Sequence, residues 1–168
     1  MSKEAMEGLI KRLSTVAEKS FNEFGALPPV FCCVTGDGQP FMLPAIGDDK
    51  EQSFAIARAV IQRTGVVLYV FISEAWVGTF GPDISKAELR EIDRRGLKDH
   101  PDRREVVVYN AEDREGNAVS AQQLILRPEV SKPVLSPLQF VEVAPGKSRG
   151  RGANMFGERT SIITGEKA

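Results

Sequence analysis

Apolar residues recur at three- and four-residue intervals from position 6 to position 24, which places them on one side of an α-helix. Gly25 is suited to end this helix in a left-handed conformation, and Pro28-Pro29 prevents the helix from continuing. Such a helix needs a surface to cover, either a β-sheet of the same chain or the same helix of a partner. Its apolar members are Met6, Leu9, Ile10, Leu13, Val16, Ala17, Phe21 and Phe24.

The next segment predicts a short β-hairpin followed by a second helix. Gly36-Asp37-Gly38 separates two apolar runs and suits a tight turn, because glycine accepts positive φ angles. Pro40 and Pro44 lack a backbone donor, which favours an edge position for the second strand. Asp49 is placed to cap the helix, which is expected to end at Gly65.

The sequence VVLYVFISEAW, residues 66–76, predicts a central strand that is buried on both faces, since it is almost continuously apolar. Residues 104–113 and 118–128 predict an antiparallel hairpin, and residues 137–145 predict a last strand. The expected class is therefore α+β. We expect a mostly antiparallel sheet of about five to six strands, two main helices on one of its faces, and a long charged connection.

The composition changes near residue 146, so we expect one α+β domain over 1–145 and a flexible tail over 146–168. Lys147, Arg149 and Arg151 give the tail a weak resemblance to nucleic-acid-binding Arg-Gly segments. Two short apolar groups in the tail, MFG and TSIIT, are expected to dock on the same or a neighbouring subunit.

Basic and acidic residues nearly cancel, at 22 against 23, so the whole chain has no electrostatic preference for nucleic acid or anionic membrane. No signal peptide is visible at the start, and the longest apolar run is too short to cross a bilayer. Cys32 and Cys33 are neighbours on a predicted strand, so they point to opposite faces and are expected to remain buried thiols. These features predict a reduced, cytoplasmic protein.

The only histidine lies in His100-Pro101-Asp102, a tripeptide that marks the J-domain of chaperone co-factors. In a J-domain this tripeptide joins two helices of an all-helical module. Here the segments on either side are strand-like, so the context does not support the motif. The surrounding connection, residues 77–104, instead predicts one surface helix after Ser85, with Glu88 completing a capping box.

Five residues at the base of this connection form a candidate ligand site: Glu74, Trp76, Arg103, Arg104 and Glu105. If the strands before and after the connection are antiparallel neighbours, all five lie near the same end of the sheet. The tryptophan offers a flat apolar wall, and an adjacent arginine favours the ionised form of a glutamate. The structural alternative is that Glu74 pairs with Arg103 or Arg104 while Trp76 closes the core.

Complete catalytic sets are absent from the sequence. One histidine does not suffice for a multi-histidine zinc site, and no nucleophile elbow is present. Gly146-Lys147-Ser148 lacks the preceding glycine of a phosphate loop. A magnesium site built from Glu74, Asp83, Glu105 and Asp113 fails, because Glu105 and Asp113 are about 27 Å apart along one strand. We therefore expect no metal and no cofactor.

The sequence favours a non-catalytic module that binds a partner or self-associates, with a dimer as the expected assembly. The alternative is a small enzyme or ligand-binding protein that uses the pocket at the base of the 77–104 connection. Membrane association is not expected, and nucleic-acid binding is disfavoured. Binding of a small-molecule ligand stays as an alternative.

Overall fold

The structure, a computed structural model, describes residues 1–45, 49–78, 83–97, 100–142 and 155–156. These residues form helices and an antiparallel sheet. In chain order the elements are α1 (Lys3–Phe24), β1 (Val30–Thr35), β2 (Pro40–Pro44), α2 (Lys50–Arg63), β3 (Val66–Gly78), α3 (Lys86–Arg95), β4 (Arg103–Asp113), β5 (Ala118–Leu126), β6 (Val134–Leu135) and β7 (Gln139–Val141).

The strands form one sheet in the order β2-β1-β3-β4-β5-β6, and β7 also pairs with β5. Every pairing among the described strands is antiparallel. The predicted α+β class and the predicted antiparallel sheet are therefore confirmed. Strand β3 is 13 residues long and lies between β1 and β4, as expected of a strand with an almost continuous apolar sequence.

Helix α1 covers one face of the sheet over β4, β5 and β6. It ends as predicted at Gly25, which has a φ of 73° and donates its N–H to the carbonyl of Phe21. The predicted apolar side was too wide, because Val16 is 63% exposed and Phe24 is 72% exposed. Among the described helices, none is both long enough and apolar enough to cross a membrane.

Helix α2 covers the opposite face, so the prediction that both main helices share one face is wrong. Side chains alternate along β3: Val70 and Ile72 join the core beneath α1, whereas Tyr69 and Phe71 join a second core with Ile61 of α2. A strand that is apolar on both faces needs a cover on each side. The helical pattern of α2 does not reveal which side it takes.

The β4–β5 hairpin has a fixed turn because Asp113 is bonded across it. The Asp113 carboxylate accepts hydrogen bonds from Glu115 N at 3.0 Å, Asn117 N at 2.9 Å and Asn117 Nδ2 at 2.9 Å. Burial alone raises the pKa of this carboxyl, but bonds from Asn117 and the Met1 amino group outweigh burial and lower it. The turn sets the register in which Val106 faces Leu124.

The connection between β3 and β4 contains the predicted surface helix. Ser85 and Glu88 form the capping box at the start of α3, and Gly96 follows its end. Residues 79–82 and 98–99 lie outside the described ranges. Because His100-Pro101-Asp102 leads directly into β4, the strand context that separates it from a J-domain is confirmed.

Replacing Phe21 by alanine is expected to lower the free energy of unfolding by about 3–5 kcal/mol, since its ring is fully buried on the side of α1 that faces the sheet. The matched control is Val16→Ala on the exposed side of the same helix, with an expected change within about 0.5 kcal/mol. Urea denaturation followed by circular dichroism measures both. Similar losses in the two variants would contradict the observed orientation of α1.

Candidate functional site

The β3–β4 ladder extends beyond the buried part of the sheet. Pairing continues from Leu68–Asp113 in the core to Gly78–Arg103 at the far end. Burial decreases along the same path, because Ile72 is buried whereas Trp76 is 42% exposed. The end of the ladder is thus ordered by backbone pairing and open to solvent, and the interpretation in which Trp76 closes the core is wrong.

Glu74, Trp76 and Glu105 share the face that α1 covers elsewhere. Directly paired residues of an antiparallel sheet lie on the same face. Glu74 pairs with Val107, which belongs to the core beneath α1, and Trp76 pairs with Glu105. The register therefore brings these three side chains to one end and one face of the sheet.

The two adjacent arginines point to opposite faces. Arg103 pairs with Gly78 and shares the face of Trp76, whereas Arg104 pairs with Val77 and faces the other side. The predicted five-residue site is therefore divided between two faces. Together with Pro101 and Asp102, the arginines line a shallow, open depression of about 350 Å³.

The Arg103 guanidinium lies over the indole ring of Trp76. Its central carbon is 4.7 Å from the ring centroid, which is within cation–π distance. At a partly exposed position such a contact contributes about 0.5–1 kcal/mol. The arginine therefore favours one orientation of the exposed ring without removing it from solvent.

Arg127 forms a two-point ion pair with Glu105. Its Nε and Nη2 atoms each donate to one carboxylate oxygen of Glu105 at 2.6 Å. The Arg127 guanidinium lowers the pKa of the Glu105 carboxyl below its ordinary value. Both oxygens are engaged, so Glu105 fixes the position of Arg127 rather than acting as a proton donor.

Glu74 holds the segment that follows α1. Its Oε1 atom accepts a hydrogen bond from the backbone N–H of Leu27 at 2.7 Å. The predicted pairing of Glu74 with Arg103 or Arg104 is wrong, because neither arginine contacts it in the described residues. This bond anchors the end of α1 two positions along β3 from the exposed tryptophan.

We call Trp76, Arg103, Glu105 and Arg127 the Trp76 surface. It combines an exposed aromatic ring with two arginines and one carboxylate; Trp76, Arg103 and Glu105 lie on paired strands, and Arg127 follows the end of β5. This composition suits noncovalent recognition, because tryptophan and arginine are the residues that most often dominate protein interfaces.

The two cysteines and the two tyrosines are buried, and burial favours their protonated forms. Burial raises the pKa of Cys32 to about 11 and that of Cys33 to about 12, so both thiols are protonated at neutral pH. Burial also raises the pKa values of Tyr69 and Tyr109. The described histidine, cysteine and acidic residues form no group that could hold a metal ion.

The three tail residues proposed for nucleic-acid contact, Lys147, Arg149 and Arg151, lie outside the described residues. That role stays a prediction. Two other tail residues, Met155 and Phe156, are described and pack against the second core.

Sequence reasoning missed Arg127 and the backbone of Leu27. A signal for Arg127 exists in the hairpin register, because Val106 faces Leu124 and the same register places Arg127 diagonally from Glu105. No sequence signal identifies Leu27, since its bond to Glu74 depends on where α1 ends above the sheet.

Comparison with protein-family models finds no match to this chain, and neither do comparisons with curated proteins and with solved structures.

Replacing Arg127 by methionine is expected to raise the pKa of Glu105 toward its ordinary value. Since this pKa is lowered in the folded protein, the ion pair stabilises fully above the ordinary glutamate pKa and loses its effect as pH falls through the folded value. At neutral pH we expect a loss of about 0.5–1 kcal/mol in unfolding free energy, disappearing in acid.

Carboxyl titration by NMR and urea denaturation at several pH values measure both effects. The matched control is Arg104→Met, which removes a neighbouring arginine from the opposite face and should leave the Glu105 pKa unchanged. An unchanged Glu105 pKa in the Arg127 variant would contradict the proposed cause.

Proposed function

We propose that this protein is a non-catalytic binding module that pairs with a second copy of itself through the Trp76 surface. The observation that carries the proposal is the position of Trp76. The only tryptophan of the chain is 42% exposed at the open end of a strand whose other half forms the centre of the protein.

Preorganisation supports this proposal. The exposed ring is held by Arg103, and Arg127 is held by Glu105. Side chains that are already fixed lose little conformational entropy on association, so more of the contact energy contributes to affinity. An exposed tryptophan on a flexible loop would lack this advantage.

The charge of the surface favours a second copy as the partner. Cations and carboxylates lie side by side, as in Arg103 next to Asp102 and Arg127 next to Glu105. A strongly acidic or strongly basic partner would meet repulsion as well as attraction. Two copies related by a two-fold axis can place each cation of one against a carboxylate of the other.

A small-molecule site is less well supported. The depression beside Arg103 is lined by four consecutive residues, Pro101 to Arg104, rather than by walls from different elements. Ligand pockets are typically concave and mostly apolar, which allows them to enclose the ligand. The observed depression suits the rim of an interface better.

We further propose that the protein acts in the cytoplasm. Two unbridged, buried thiols, Cys32 and Cys33, support this compartment, because disulfides form readily in oxidising compartments and rarely in the cytosol.

Sedimentation velocity over a range of protein concentrations tests the proposed pairing. The unmodified protein is expected to shift from monomer to dimer as concentration rises. Trp76→Ala should weaken this association by about 2 kcal/mol or more, which is roughly thirtyfold in the dissociation constant. The emission of the single tryptophan should shift to shorter wavelength as the dimer forms, because the ring leaves water.

Val16→Ala is the matched control, since it removes an exposed apolar side chain from the outer side of α1. It should leave the dissociation constant unchanged. A strict monomer at every concentration, or equal association by the Trp76 variant and the unmodified protein, would contradict the proposal. A loss of pairing in the Val16 variant alone would show that the interface lies on α1 instead.

A further inference from the structure

Met155 and Phe156 occupy a groove on the face opposite the Trp76 surface. The Met155 side chain is fully buried in the core that contains Ile61 of α2 and Tyr69 of β3. The Phe156 ring lies 5.3 Å from the ring of Tyr69, and the Arg114 guanidinium lies over it at 5.7 Å. A short piece of the tail is thus seated between a helix and a strand.

The groove holds this segment by its backbone as well as by its side chains. The Met155 N–H donates to the hydroxyl of Tyr69 at 3.2 Å, and the Met155 carbonyl accepts from Gln62 Nε2 at 3.3 Å. Peptide-binding grooves commonly combine main-chain hydrogen bonds, which give affinity, with side-chain pockets, which give specificity. Here one pocket takes methionine and the next position takes an aromatic ring.

The walls of the groove are built by contacts that do not involve this segment. The Tyr69 hydroxyl donates to Glu112 Oε2 at 2.6 Å, which fixes the tyrosine from the neighbouring strand. Arg114 donates to the backbone carbonyl of Val66. Behind Tyr69, the ring of Phe31 lies 5.7 Å from the tyrosine ring and 4.6 Å from that of Phe71. These contacts join Tyr69 and Arg114 to the rest of the sheet and do not include the seated segment.

We propose that this groove, which we call the Tyr69 groove (Gln62, Tyr69 and Arg114), is a peptide-binding site that the chain's own Met155-Phe156 fills as a removable plug. The partner is a different protein that presents an extended segment with an unbranched apolar residue followed by an aromatic residue. The residue types expected in the partner's segment are those of Met155 and Phe156, which now occupy the groove. The site is separate from the Trp76 surface and does not depend on the proposed pairing.

The proposal is tested with the variant Met155→Asp/Phe156→Ala, which places a carboxylate in the apolar pocket and removes the aromatic ring without offering Arg114 an acidic partner, and which should therefore empty the groove. The probe is a fluorescein-labelled peptide with the sequence ANMFGE, residues 153–158 of this chain. Fluorescence anisotropy should show at least tenfold tighter binding to this variant than to the unmodified protein. The control peptide ANDAGE, which carries the same two changes, should not bind.

A further substitution locates the binding in the groove. Adding Gln62→Ala to the emptied variant removes the donor to the Met155 carbonyl, so peptide affinity should fall by about two- to tenfold, as expected for one hydrogen bond. Gln52→Ala, which removes an exposed glutamine side chain from the first turn of the same helix, keeps this donor and should bind the peptide as the emptied variant does.

Three results would overturn the proposal. They are failure of the folded variant to bind the peptide, equal binding by the emptied and unmodified proteins, and loss of self-association in the emptied variant. The last result would mean that the segment is exchanged between copies rather than displaced by a different partner.

If the emptied variant does not fold, hydrogen exchange of the unmodified protein decides the question. A removable plug opens without global unfolding, so the Met155 amide should exchange at least a hundredfold faster than the amide of Val70 in the centre of β3. Equal exchange rates would mean that the segment is a fixed part of the core and would overturn the proposal.

Discussion

The pairing of β3 with β4 is the interaction on which the rest of this structure depends. Its buried half supplies residues to both cores, because side chains of β3 alternate between the face of α1 and the face of α2. Its other half continues past the cores to the pair Gly78–Arg103 and carries Trp76 at a solvent-exposed position. One uninterrupted ladder therefore provides both the stability of the fold and the rigidity of its candidate binding surface.

The same alternation gives each face a distinct feature. On the face of α1, the ladder ends in the Trp76 surface, where Arg103 and Arg127 are held by neighbouring side chains. On the face of α2, Tyr69 forms part of the groove that holds Met155. Cys32 and Cys33 follow the same rule, since one lies in each core. The two buried cores and the two candidate binding sites thus follow from a single strand pattern.

The sequence identified the helices, the hairpins and the central strand, because each depends on local periodicity or on a local cap such as Asp49, whose carboxylate accepts from Gln52 N. It also grouped Trp76 with Glu105. It could not place α2 on the correct face, because an amphipathic helix suits either side of a strand that is apolar on both. It did not identify Arg127, whose pairing requires the register, or say whether the apolar pair at Met155 docks on its own subunit.

The most direct test of this account is native-state hydrogen exchange of the amides of residues 73–78 that bond to β4. If the ladder continues past the cores as a rigid extension, these amides are protected, and Trp76 shows cross-strand nuclear Overhauser effects to Glu105. Exchange at the rate of an unstructured peptide, with no contact between these two residues, would contradict a preformed Trp76 surface.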